Sequence, residues 1–353
     1  MAGYYFNLPQ ITQLTVPQQA ALNETKQIAL SGGPGTGKSV VSLWRHISNH
    51  QQNKRSLLLT YTTTLARYLS ACCGTQNSDA ATNVGRSYKD KNRIHNENWS
   101  EIIIDEAQDL PISYYDDIEP IAKVSYGADD SQILYPDSCS LQSDLKSLFA
   151  NIDYVLDKNF RSTQRIMQFA KTIFPDAYIP QSTITGLVNN IGELPIMLIS
   201  GKNSWNDEIG KYNISNNKQN KSIVEIISTF RSDTHNIAIL VPFKNDAQVF
   251  ETVLKNNNIA DFSIYYEDRD GRFPDGAEEI KNLHITTFKS AKGLEFDTVI
   301  IPNFHKYEEI LGKEFNTEWQ DYYVGITRAR RNLYLISSYD MPQLDSVTDK
   351  SFI

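Results

Sequence analysis

Along this chain short, nearly unbroken apolar runs alternate with longer stretches in which apolar residues return every three or four positions. The runs QIALS (27–31), SLLLT (56–60), EIIID (101–105) and IAKVSYG (121–127) fall in the first half. NIAILVP (236–242), FSIYY (262–266), LHITTF (283–288), DTVIIPN (297–303) and NLYLISS (332–338) follow in the second. Each predicts a strand. The stretches 38–50, 222–231 and 244–258 carry the helical period. Strands alternating with helices predict an α/β chain whose parallel sheets are covered by helices. Residues 203–221 and 267–282 are polar and turn-rich, predicting loops. The stretch 136–150, with Pro136 and little strand pattern, is the expected crossing between the halves.

At 353 residues, 40% of them hydrophobic, the chain exceeds what one core serves, so two domains are expected, 1–145 and 146–353. A net charge of −8 excludes a surface coated in positive charge for gripping duplex DNA or an anionic membrane, and confines nucleic-acid contact to a local groove. The three cysteines, with Cys72 and Cys73 adjacent, lack Cys-x-x-Cys spacing and no His cluster accompanies them. No zinc site is expected, and the cysteine usage suits a reducing, cytoplasmic setting. The first residues lack a leader pattern, and no apolar run nears the ~18 residues of a membrane span, so no membrane partner is expected.

GGPGTGKS, residues 32–39, matches G-x-x-x-x-G-K-[ST] between a strand pattern and a helix pattern. In such a loop the glycines Gly32, Gly33, Gly35 and Gly37, with Pro34 and Thr36 between them, let backbone N–H groups turn toward phosphate oxygens, and the helix beginning with Lys38, Ser39 and Val40 adds its positive end. Lys38 is expected at the β- and γ-phosphates and the Ser39 hydroxyl on Mg²⁺. A Gly-rich turn that binds nothing is the bland alternative.

EIIIDEAQD places three carboxylates at and just past the end of an apolar strand. Beside a phosphate loop, that edge of an open α/β sheet is where ligands bind. Asp105 is expected to hold the hydrated Mg²⁺ with Ser39, and Glu106 to orient and deprotonate an attacking water. Without the loop, the same acids could simply cap a strand.

GGPGTGKS, IIIDEAQDL, KNFRST (158–163), TTFKSAKGLEFD (286–297) and YVGITRARRNLYL (323–335) occur in the order found in superfamily 1 helicases, and the chain resembles their UvrD/Rep branch. The resemblance implies two RecA-like domains with ATP in the cleft between them. It further implies that Arg161 and Arg328 neutralise charge developing at the γ-phosphate, a role worth ~10³–10⁵ in rate in related chemistry. Gln18 stands at the adenine-reading position, with Gln19 as the competing choice. Phe160 occupies the adenine-stacking position, although a core Phe would read identically. Gln132 aligns with the γ-phosphate sensor, and Gly293 and Glu295 match positions near phosphate and ribose. For single-stranded nucleic acid, DNA favoured over RNA, the motif positions are Thr60, Tyr61, Thr62, Tyr135 and Thr287, with Tyr61 offering a stacking face. With 19 tyrosines in the chain, most must be structural.

The chain also departs from its relatives. Positions 39–104 leave 66 residues between Lys38 and Asp105, and 162–286 leave 125 between Arg161 and Thr287, without room for the large accessory insertions. Pro136-Asp137-Ser138 replaces a Gly-Trp-Arg run whose Trp stacks on a base, and Lys289 replaces a His. Two functions follow: a motor hydrolysing ATP to move on single-stranded DNA with 3′→5′ polarity, or an ATPase switch acting on a partner such as a nuclease.

Overall fold

The computed structural model describes residues 4, 8–175, 177, 179, 184, 190–201, 205–206, 211–212, 218–265, 280–311 and 318–353. It divides into a first unit, 6–160, and a second, 161–353 together with Tyr4. The division falls between Phe160 and Arg161, later than the boundary expected after residue 145.

In the first unit the described strands are β1 (Ile28–Ser31), β2 (Ser56–Thr60), β3 (Val84–Arg86), β4 (Glu101–Asp105), β5 (Val124–Ala128) and β6 (Ile152–Val155). They form one sheet in the order β3-β2-β4-β5-β1-β6, every pair parallel. The helices are α1 (Val16–Asn23), α2 (Lys38–Gln51), α3 (Thr63–Gly74), α4 (Ser78–Ala81), α5 (Lys91–Asn96), α6 (Ile112–Ile118) and α7 (Gln142–Leu148). The reason for unbroken apolar strands is visible in the packing. Leu57 and Leu59 of β2, with Ile102 and Ile104 of β4, pack against Tyr114, Tyr115 and Ile118 of α6. Leu58 and Ile103 point the other way, into Leu43, Trp44 and Ile47 of α2. Both faces of the sheet are covered, so polar alternation has no place in these strands.

The stretch 136–150 is not the crossing between halves. It contains α7, whose Leu145 is fully buried in the first core, and it leads into β6, which pairs with β1. That strand sits at the sheet edge with most of its side chains exposed, and so lacks the apolar run that betrays the others.

In the second unit the strands are β7 (Ile196–Ile199), the short antiparallel pair β8 (Trp205–Asn206) and β9 (Lys211–Tyr212), β10 (Ile237–Val241), β11 (Ser263–Tyr265), β12 (Leu283–Thr287), β13 (Phe296–Ile301), β14 (Ala329–Ser337) and β15 (Asp349–Phe352). All but β8 and β9 form a parallel sheet ordered β11-β12-β10-β13-β14-β7-β15. The described helices are α8 (Gln164–Ile173), α9 (Lys218–Phe230), α10 (Lys244–Asn256), α11 (Tyr307–Leu311) and α12 (Trp319–Ile326). Ile223 and Ile227 of α9 and Phe250, Val253 and Leu254 of α10 bury the face of β10 carrying Ile237, Ile239 and Val241. The loop expected over 267–282 lies almost wholly outside the described residues, as does most of that expected over 203–221. Among the described residues no helix is long and apolar enough to cross a membrane.

Candidate nucleotide and nucleic-acid sites

The phosphate loop leaves β1 at Ser31 and ends where α2 begins at Lys38. Gly32 has φ +143°, and a Cβ there would collide with the Leu156 carbonyl oxygen, so the loop closes against the chain just past β6 only without a side chain. Gly37 is left-handed at φ +89° and lies against the Gln18 amide. Thr36 Oγ1 donates to the Gly33 carbonyl at 2.9 Å. Pro34 is buried, Val40 packs at the edge of the α2 core, and Ser39 is half-buried at the start of α2. Lys38 Nζ, also buried, donates to the carbonyls of Gly32 (2.6 Å) and Gly33 (3.0 Å) and stands 3.5 Å from Asp129 Oδ2. These acceptors hold the ammonium where phosphate oxygens would take their place.

β4 delivers the acids. Asp105 is opposite Thr60 of β2 and Gly127 of β5 in register. A Cβ on Gly127 would lie 3.4 Å from Asp105 Oδ1 and 3.5 Å from Lys38 Cβ, so this glycine lets the acid strand and the lysine helix approach closely. Glu106 ends the strand in a left-handed conformation, φ 56° and ψ 47°. Gln108 Nε2 donates to Glu106 Oε2 at 2.7 Å, and Gln108 Oε1 accepts the Asp129 N–H at 3.1 Å. Asp129 in turn accepts from Gln132 Nε2 at 2.5 Å and from Ser131. Lys38, Asp105, Glu106 and Gln132 are therefore brought to one edge of the first sheet. Asp129, Gln108 and Gly127 join them, and sequence reasoning gave them no role. Asp129 could have been found from its position past the end of β5, the strand beside β1.

For Mg²⁺ the donors fit. Ser39 and Asp105 offer hard oxygen ligands, and among the described residues no group of three or more His, Cys, Asp or Glu is gathered to cage an ion. Two protein oxygens with phosphate and water completing the shell is the ordinary arrangement for this ion.

Gln18 is buried, accepting the Thr15 N–H (2.9 Å) and donating to the Thr36 carbonyl (2.9 Å). Its amide thus pins α1 to the phosphate loop in this conformation, while Gln19 donates to the Leu14 carbonyl. Phe160 is exposed and its N–H donates to the Gly35 carbonyl at 2.9 Å. It is not the core residue that its sequence equally allowed, but an open aromatic face beside the loop.

In the second unit Arg161 Nε donates to Glu295 Oε2 at 3.1 Å, and Arg330 lies 3.7 Å from the same carboxylate. Gly293 is left-handed at φ +81°. Arg328 is bonded within its own unit, donating to the Val324 (3.0 Å) and Leu294 (3.3 Å) carbonyls and to Thr327 Oγ1 (3.3 Å). To meet a phosphate it must exchange these bonds.

Of the nucleic-acid candidates, Thr60 is buried and the Thr62 hydroxyl caps α3 by accepting the Leu65 N–H. Thr287 bonds Ser290 in a local turn. Tyr61 and Tyr135 do come together, ring centroids 4.7 Å apart, and Tyr88 meets Tyr61 edge-on at 6.0 Å. Tyr88 is about half exposed and follows β3 within residues 81–90, a segment that only loosely resembles the family's next nucleic-acid motif and so did not single this tyrosine out. Lys289 Nζ lies 3.8 Å from Asp321 Oδ2, whose carboxyl burial pushes up to about 6 despite that lysine.

Residues 271–340 match the UvrD-like helicase C-terminal domain. A "Putative ATP-dependent DNA helicase" of Acanthamoeba polyphaga mimivirus is 29% identical over 66% of this chain and 34% of its own length. RecBCD enzyme subunit RecB of Chlamydia pneumoniae is 38% identical over 19% of this chain and 6% of its own. The chain thus spans about a third or less of the curated relatives it matches. Among solved structures, the Arterivirus nonstructural protein 10 helicase is 13% identical with TM-score 0.43, over 96% of this chain and 65% of that one. The described residues form two α/β units, each with a parallel sheet flanked by helices, and the second contains the stretch similar to the UvrD-like helicase C-terminal domain.

Proposed function

We propose that this chain hydrolyses ATP to drive movement on single-stranded nucleic acid, DNA favoured over RNA, with 3′→5′ polarity. The observation that carries the reading is the gathering of Lys38, Asp105, Glu106 and Gln132 around one phosphate loop at the edge of the first sheet. In this reading the loop N–H groups and Lys38 bind the phosphates, and Ser39 and Asp105 hold Mg²⁺. The metal, when bound, neutralises charge on the phosphate oxygens. Glu106 orients water and takes its proton as the water oxygen attacks the γ-phosphorus and the bond to the bridging oxygen breaks, releasing ADP. Arg161 and Arg328 stabilise the charge that develops. Phe160 supplies a face for adenine, and Tyr61 and Tyr135 one for bases. A reducing, cytoplasmic setting belongs to the same reading, supported by three cysteines that form no disulfide among the described residues.

The test is steady-state hydrolysis by Lys38→Ala and Glu106→Gln. Both proteins should fold and lose at least about 10²-fold in turnover; wild-type turnover by either sinks the assignment.

A second reading, an ATPase switch that regulates a partner such as a nuclease, is favoured by the short spans between motifs and by similarity to a protein named as a subunit of RecBCD. Strand displacement with one polarity supports the motor. Nucleotide-dependent partner binding without displacement supports the switch.

A further inference from the structure

Gln108 is fully buried and lies on a hydrogen-bonded path between two parts of the phosphate site. Its Nε2 donates to Glu106 Oε2 at 2.7 Å and its Oε1 accepts the Asp129 N–H at 3.1 Å. Both directions of the amide are therefore assigned by their partners, since a carboxylate only accepts and a backbone N–H only donates. Glu106 itself is left-handed at the strand end, a conformation that needs support from its surroundings. Beyond Gln108, the Asp129 carboxylate holds Gln132 at 2.5 Å and approaches Lys38 at 3.5 Å. The base, the lysine and the candidate γ-phosphate sensor are thus joined through two side chains.

We propose that Gln108 is the positioning residue of Glu106, holding the carboxylate in place and tying it to the Asp129–Gln132 turn, so that nucleotide contacts made by Lys38 and Gln132 are transmitted to the base. The inference rests on Glu106 acting as the base. When phosphate oxygens take Lys38 away from Asp129, the turn is released on one side and still bonded to Gln108 on the other. Glu106 is then aligned by the same event that brings the γ-phosphate.

The test compares Gln108→Ala and Gln108→Glu with wild type and Glu106→Gln, measuring kcat, KM for ATP, the pH profile of kcat and thermal stability in the presence of single-stranded DNA. Gln108→Ala removes the donor and should lower kcat about 10- to 100-fold, the scale of a slightly misplaced catalytic group, with KM changed less than about twofold. Because a donated hydrogen bond favours a carboxylate's charged form, the acid limb of the profile should move to higher pH. Gln108→Glu keeps the shape and the acceptor for Asp129 but sets a second carboxylate against the first. It should move the limb further and remains informative if the alanine protein does not fold. Wild-type kcat in both variants overturns the proposal, as does a loss of kcat with the acid limb unmoved in a protein that melts like wild type. Full turnover by Glu106→Gln instead removes the base assignment, and the positioning role with it.

Discussion

Glu106 shows what a residue's neighbours in sequence can and cannot say. Its place after an apolar strand, in a chain that also carries a phosphate loop, marks it as a candidate base from the letters alone. Its left-handed backbone and its bond to Gln108 are set by contacts far along the chain, including Asp129, and no local pattern announces them. Phe160 is similar: the sequence allowed a core ring or an adenine platform, and only its exposure beside Gly35 decides between them. Tyr88 was barely legible, one tyrosine among 19 in a segment only loosely like a nucleic-acid motif, until it met Tyr61. Stacking on an aromatic is worth ~1–3 kcal/mol per base, so Tyr88→Ala should weaken single-stranded DNA binding about tenfold while Tyr88→Phe binds as wild type. Equal affinities of all three, measured by fluorescence anisotropy, would remove Tyr88 from the platform.

At the scale of elements, burial governs legibility. β2 and β4 were plain because both their faces are covered, whereas β6, mostly exposed, and β3, three residues long, carry no periodic signal. β7 and β15 stand next to each other at the far side of the second sheet and were likewise missed. Contacts between elements also constrain residues that look interchangeable. Gly325 lies within α12, and a Cβ there would run into the ring of Phe288, itself buried just past β12. Gly325→Ala should therefore destabilise the second unit by about 1–3 kcal/mol, the usual penalty of overpacking, despite alanine's better helix propensity. A melting temperature equal to or above that of wild type would contradict the close packing of α12 on Phe288.

Across the whole molecule the two units should respond differently to acid. Burial lowers His46 in the first unit and His284 in the second to about 4. Each keeps its stabilising effect above about pH 6.5, where unfolded histidine is neutral, and loses it as pH falls toward 4, on the order of 2 kcal/mol by pH 5. The second unit also holds Asp246 and Asp321, which burial raises to about 6. Their sign is opposite: between about pH 3.8 and 6 the folded state binds the extra protons, so acidification through 6 restores stability there. Hydrogen exchange at pH 7 and pH 5, corrected for intrinsic rates, should show protection around α2 and β2, where His46 lies, falling with acid. Unchanged protection there would contradict the lowered His46. In the proposed reading the phosphate loop and its acids in the first unit hydrolyse ATP, and a nucleic-acid strand stimulates them. The most direct test is steady-state ATP hydrolysis with and without single-stranded DNA, using Glu106→Gln as background. Turnover well above that background and strongly raised by the strand is expected; turnover no higher than that of Glu106→Gln, with the strand present, would rule the reading out.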